Sequence, residues 1–167
     1  MLSYFPLSSE IIDDAIRLVR EVFPDDFDTD DSPEVAYRVS VDGEAHKEFI
    51  TRHRLDILKY FIVKNEEQKT IGVTGWYTVL DEPKDIIWLG WYCVSKEERR
   101  KGFGKEILEW TIDRARDMGY KRMRLYTTTH PGEATAQILY EKLEFKLYAT
   151  ETTPGVDYTT LFREKEL

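Results

Sequence analysis

The chain has 167 residues, 41% of them hydrophobic and 34% charged, and carries a net charge of −8. That length can bury a core as one domain, expected to span residues 1–167, and the acidic balance excludes a nucleic-acid binder, which needs clustered Lys and Arg. No apolar run is long enough to cross a bilayer and no basic-then-apolar leader opens the chain, so a cytoplasmic protein without a membrane partner is expected.

Leu2 to Phe5 reads as a short first strand. Ser8 or Ser9 then reads as a helix N-cap, with Ile11, Ile12, Ala15, Ile16, Val19 and Val22 behind it at helical spacing. Pro24 and the acidic run Asp25, Asp26, Asp28, Asp30 and Asp31 end that helix. Residues 33–58 read as one or two helices broken at Gly43, with Phe49, Leu55 and Leu58 on a partial apolar face. From Tyr60 the pattern turns to strands: Tyr60 to Val63, a turn at Asn65 to Lys69, then Thr70 to Leu80. The turn Asp81-Glu82-Pro83-Lys84 leads into Ile86 to Val94, a nearly continuous apolar run that suits a central strand covered on both faces. Cys93, the one cysteine, lies in that run, which rules out an internal disulfide and points to a buried residue rather than a reactive thiol. Gly102 to Gly119 reads as a helix with Ile107, Leu108, Ile112 and Ala115 on one stripe and Gly119 as its C-cap. Arg122 to Thr128 is another strand, Glu133 to Leu143 a helix, and Phe145 to Thr152 and Tyr158 to Arg163 closing strands. The order predicts an α/β fold around a mixed sheet. His46, His53 and His130 have no zinc-ligand spacing, so no metal is expected.

The strongest chemical signal is Arg99-Arg100-Lys101-Gly102-Phe103-Gly104-Lys105, where a strand ends, a polar loop follows and two glycines open a long helix. A helix N-terminus offers unpaired amide N–H groups and a positive dipole end, which favour phosphate, and glycine lets the backbone approach it. Arg99, Arg100, Lys101 and Lys105 add positive charge in an acidic chain. A six-residue Gly-x-Gly-x-x-Gly fingerprint and a P-loop ending are both absent, which argues against a dinucleotide or ATP site.

The loop resembles the Arg/Gln-x-x-Gly-x-Gly/Ala motif of the GNAT acetyltransferases. A second stretch, Ala136-Gln137-Ile138-Leu139-Tyr140-Glu141-Lys142-Leu143-Glu144-Phe145, resembles that family's Ala-x-x-Leu-Tyr-x-Lys-x-Gly-Phe signature, in the right order and one strand later. The resemblance covers residues 60–150 well and implies a single GNAT domain of six or seven strands and about four helices. It implies an acetyl-CoA-dependent N-acetyltransferase acting directly, without a covalent enzyme intermediate, on a primary amine. Arg99, Gly102 and Gly104, aided by Arg100, Lys101, Phe103 and Lys105, would then hold the CoA pyrophosphate. Backbone groups of Tyr92, Cys93 and Val94 would pair with the pantetheine arm, in a gap where the strands ending at Val94 and Thr128 splay apart. Tyr140 would protonate the departing thiolate. The resemblance is also compatible with a homodimer.

Two positions depart from the pattern. Glu144 replaces the usual glycine before Phe145, so a different backbone conformation is expected there, and Glu133 stands where many members carry asparagine near the CoA arm. The family's general base falls at Trp88, which cannot accept a proton; Glu82, Asp85 and His130 remain as candidates. The acidic run with Phe27, Tyr37 and Phe49 suits recognition of a cationic amine, and equally suits a solvated loop. Two other readings stay open from the sequence: a CoA-binding regulator that keeps the fold without turnover, and a non-enzymatic interaction domain.

Overall fold

The computed structural model describes residues 1–27 and 31–167. Its central feature is an eight-stranded sheet in the order β1 (Ser3–Pro6), β2 (Leu55–Lys64), β3 (Thr70–Val79), β4 (Ile86–Leu89), β6 (Arg122–Thr128), β8 (Thr159–Glu166) and β7 (Lys146–Thr152), with β5 (Cys93–Val94) paired to β3. β4 and β6 are parallel and the other neighbours antiparallel, so the sheet is mixed as expected. A parallel pair needs a crossover, and the helix α4 (Phe103–Asp117) lies between these two strands in the chain.

Helices cover both faces. On one, α1 (Ile12–Val22) and α2 (Pro33–Val41) bury Ala15, Val19, Ala36 and Tyr37 against Tyr60, Ile62, Val73 and Cys93. On the other, α4 and α5 (Ala134–Lys142) bury Leu108, Ile112, Ala115 and Tyr140 against Trp76, Ile87, Met123, Leu125 and Phe145. The alternation along β3 sorts Val73 to the first face and Trp76 to the second. Thr111 of α4 donates to Ile107 O at 2.8 Å, and the Thr74 and Thr111 hydroxyls meet at 2.7 Å, which locks α4 to β3 without leaving a buried hydroxyl unpaired.

Several expectations need correction. The described residues hold eight strands and five α-helices, rather than six or seven and about four. Residues 33–58 are not helical throughout: α3 (Lys47–Arg52) stops where Arg54 takes a left-handed φ of 53°, and Leu55 and Leu58 belong to β2. α1 has Ile11 at its N-cap position, and Ser8 contributes through its carbonyl, which accepts from Ile11 N at 3.2 Å and Ile12 N at 3.0 Å. The run from Ile86 to Val94 is two strands, not one. Between them Gly90 N donates to Gly75 O at 2.9 Å and Trp91 N donates to the Tyr60 hydroxyl at 3.1 Å, which draws residues 90–92 out of the β4 line. Gly90 is required there, because a Cβ would lie 2.5 Å from the Tyr60 oxygen. Glu144 takes φ 64°, the conformation a glycine would adopt, so the turn keeps its shape at the cost of backbone strain.

Candidate active site

The pairing of β4 with β6 ends at Trp88 and Arg124, and β5 pairs with β3 alone. Beyond that point the two chains part, and a cleft of about 1010 Å³ opens with Trp91, Tyr92, Arg99, Tyr126, Thr128 and Tyr140 among its walls. The gap between strands read from the sequence is therefore present in the fold.

At one end of the cleft Arg99 lines the wall, and the rest of the glycine loop adjoins it through the lining Tyr92. After a short 3-10 turn, Lys96–Glu98, the chain runs extended through Arg99 and turns left-handed at Arg100 (φ 63°) and Gly102 (φ 89°) before α4 begins. No side chain caps α4, and its first intrahelical bond is Glu106 N to Gly102 O at 3.2 Å, so the amides of Phe103, Gly104 and Lys105 are open to a ligand. Gly102 is needed for its φ and not for room, since a Cβ there would meet nothing within 4 Å. Gly104 is needed for room: a Cβ would lie 2.8 Å from the hydroxyl of Tyr92, which donates to Gly104 O at 2.7 Å and ties the strand break to the helix start. Lys101 is paired with Glu98 at 2.9 Å and Lys105 with Glu109 at 3.4 Å. Arg99 and Arg100 have no carboxylate partner among the described residues; Arg99 reaches only Val94 O, at 3.5 Å.

Tyr140 stands at the cleft wall, 7% exposed, with its ring edge-on to Phe145 at 6.0 Å. Its hydroxyl has no hydrogen-bond partner among the described residues. Burial, reinforced by the carboxylate of Glu133, raises its pKa above the ordinary phenol value, so it stays a protonated donor. Glu133 accepts from the Thr127 hydroxyl, from Thr128 N at 3.0 Å and from the Thr128 hydroxyl at 2.5 Å, clamping the end of β6. An asparagine, with one acceptor oxygen, could not satisfy all three donors. Cys93 is 4% exposed and burial pushes its thiol up to about 12, which fits a packed strand residue and not a nucleophile.

The candidate bases separate cleanly. Glu82 accepts from Trp88 Nε1 at 2.6 Å and lies 3.5 Å from Arg124, while Asp85 pairs with Arg122 at 3.1 Å. Both precede β4, at the end of that strand away from the cleft, and neither lines it. His130 does line it, with Nδ1 accepting from Gly132 N at 3.1 Å and its ring 5.9 Å from Tyr158.

The other end of the cleft is acidic and aromatic. Asp25, Asp26 and Asp31 line it with Phe49, Trp91 and Tyr126; Asp28 and Asp30 of the same run lie outside the described residues. His53 Nε2 approaches Asp31 at 2.8 Å, without hydrogen-bond alignment, and its ring lies 4.3 Å from Phe49. Tyr37 and Phe27 do not join this wall: Tyr37 is fully buried in the core and Phe27 packs under Arg20 at 4.9 Å. The sequence reading missed Trp91 and Tyr126. Trp91 follows the glycine at the strand break, and Tyr126 occupies the outward phase of β6, between buried Leu125 and Thr127. Among the described residues no cluster of His, Cys, Asp and Glu could hold a metal, and no helix is long and apolar enough to cross a membrane.

The family model of the GNAT acetyltransferases matches residues 16–145. No curated protein matches the chain in sequence. Among solved structures, a protein assigned to the GNAT acetyltransferases from Desulfovibrio desulfuricans is 14% identical with a TM-score of 0.75, the match covering 99% of both chains. An N-acetyltransferase from Staphylococcus aureus is 17% identical, TM-score 0.72, with 99% of this chain and 98% of that one covered. Mutant forms of a spermidine/spermine N-acetyltransferase from Vibrio cholerae are 13% identical, TM-score 0.69, over 99% and 95%. At such identities the likeness is one of fold.

Proposed function

The chain belongs to the GNAT acetyltransferase family, and on that premise we propose that it moves an acetyl group from acetyl-CoA directly to a cationic primary amine in a ternary complex. The observation that carries this reading is the composition of one cleft: Arg99 at one end, beside the bare helix amides and Arg100 of the adjoining loop, three aspartates at the other, and in its wall the Tyr140 hydroxyl, unpartnered among the described residues. Those ends suit opposite charges, the first a pyrophosphate and the second an ammonium group.

The residues fit acetyl-CoA. The amides of Phe103, Gly104 and Lys105, with the guanidinium groups of Arg99 and Arg100, would hold the pyrophosphate, and Gly102 leaves their approach open. β5 pairs with β3 alone, so the backbone from Tyr92 to Val94 would offer its other edge, where β4 and β6 part, to the pantetheine arm. Bound there, the thioester supplies an activated acyl group. Tyr140 holds a proton where a thiolate would leave, and direct transfer requires no nucleophile from the protein, in keeping with the buried thiol of Cys93. The aspartates draw in an ammonium, and Trp91 and Tyr126 offer aromatic faces that bind cations favourably. A protonated Tyr140 hydroxyl in the cleft wall, unpartnered among the described residues, favours this reading over a non-catalytic regulator.

Calorimetric titration with acetyl-CoA, followed by a screen of amines, alcohols and anionic acceptors for thiol release, tests it. Saturable binding with transfer to amines supports the proposal; transfer only to alcohols or anions, or no binding at millimolar acetyl-CoA, overturns it.

A further inference from the structure

An alkylamine is protonated near neutral pH and must lose a proton before it can attack. Within the cleft, His130 is poorly placed to take it: with Nδ1 accepting from Gly132 N at 3.1 Å, the neutral ring carries its proton on Nε2 and has no free lone pair. Glu133 is already occupied, its two oxygens accepting three hydrogen bonds from Thr127 and Thr128. Asp31 has its carboxylate 2.8 Å from His53 Nε2, though without hydrogen-bond alignment. Asp26 differs from all of these. It lines the same cleft as the unpartnered hydroxyl of Tyr140, a residue more than nine-tenths buried, and among the described residues its own carboxylate makes no hydrogen bond or ion pair. It also lies within electrostatic reach of Glu133 and His130, which line the same cleft.

We propose that Asp26 is the general base of this cleft, taking a proton from the incoming ammonium directly or through one water. The assignment rests on the acyl-transfer reading above. In the step it serves, the ammonium N–H bond breaks and its proton goes to Asp26. The freed nitrogen pair forms the new C–N bond as the C–S bond breaks, the sulfur takes the Tyr140 proton, and the second proton lost from nitrogen restores Tyr140. Asp26 then releases its proton to solvent. The groups around it suit the task. Partial desolvation first, then Asp25 on its own segment and Glu133 from the turn before α5, raise the Asp26 pKa above the usual carboxylate value; His130, at the end of β6, opposes them. Asp31 and Tyr126 line the same cleft.

The test compares wild type with Asp26→Asn and Asp26→Glu, using ethylamine and trifluoroethylamine, a pair of similar size of which the second is already neutral at neutral pH. We expect kcat for ethylamine to fall at least about 100-fold in Asp26→Asn. For trifluoroethylamine it should fall less than about threefold, because the step lost is no longer needed. Acetyl-CoA affinity should be unchanged and Asp26→Glu should recover part of the rate. Equal losses on both amines, a loss in KM alone, or no loss on ethylamine would overturn the assignment while leaving acetyl transfer standing. A wild-type protein that binds acetyl-CoA yet acetylates neither amine would overturn both.

Discussion

Replacing Tyr140 by Phe removes one oxygen from a side chain that is 7% exposed and whose hydroxyl pairs with nothing among the described residues. The ring and its edge-on contact with Phe145 at 6.0 Å remain. A typical protein hydrogen bond contributes about 0.5–1.5 kcal/mol net, and here none is lost. Stability should therefore change by no more than about 0.5 kcal/mol, under about 2 °C in Tm for a chain of this size. Catalysis should change far more. A general acid contributes about 10²–10⁴-fold, equivalent to roughly 3–5 kcal/mol of barrier. Three assays on the same variant separate the effects: thiol release for kcat, calorimetry for acetyl-CoA affinity, and thermal unfolding for Tm. The expected result is a kcat lowered at least about 100-fold with affinity and Tm preserved. Because burial and Glu133 hold the hydroxyl above the ordinary phenol pKa, it should also impose no alkaline limb on wild-type kcat below about pH 10. A kcat within about threefold of wild type would refute the acid role. A Tm lowered by more than about 4 °C would mean the hydroxyl carries structure instead.

Arg99→Glu with Arg100→Glu should weaken acetyl-CoA binding at least about tenfold, less so at high salt, since both guanidinium groups lack carboxylate partners among the described residues; unchanged calorimetric affinity would contradict the pyrophosphate site. Glu144→Gly should stabilise the protein by about 0.5–1 kcal/mol, a Tm rise of roughly 1–4 °C, by relieving φ 64° at the loss of an exposed contact with Lys165; a lowered Tm would show that the turn is not strained. Burial raises the pKa values of Tyr37, Tyr60 and Tyr140. Above about pH 10 the unfolded chain loses these protons while the folded one keeps them, so unfolding free energy should fall as pH rises, by up to about 1.4 kcal/mol per unit for each tyrosine. A urea midpoint unchanged from about pH 9 to 11 would count against that burial.

Much of this was legible in the sequence because local pattern and tertiary role coincide. The stripe Ile107, Leu108, Ile112 and Ala115 marks the face of α4 that packs on the sheet, and the turn to left-handed backbone falls on a glycine, Gly102. Where the two diverge, the reading fails. Leu55 and Leu58 fit helical spacing with Phe49, yet Arg54 ends the helix in a conformation its side chain does not advertise, and both leucines enter β2. The apolar run from Ile86 to Val94 hides a break that comes from the Tyr60 hydroxyl, contributed from about thirty positions earlier in the chain. The cleft follows the same rule. Its glycine loop is one contiguous segment and could be found by motif. Its acidic end is assembled from the segment after α1, from α3, from the strand break and from β6, so no local window joins Asp26 to Tyr140. Glu82 and Asp85 looked suitable as bases by proximity to the central strand, but they sit at its other end, held by Trp88, Arg124 and Arg122.

The most direct test of the central claim is an initial-rate study of thiol release and amide formation with acetyl-CoA and an alkylamine varied together. Direct transfer through a ternary complex predicts one thiol per amide and intersecting double-reciprocal lines. Parallel lines would require a covalent acyl-enzyme that the buried Cys93 does not support, and thiol release without amide would contradict transfer to an amine altogether.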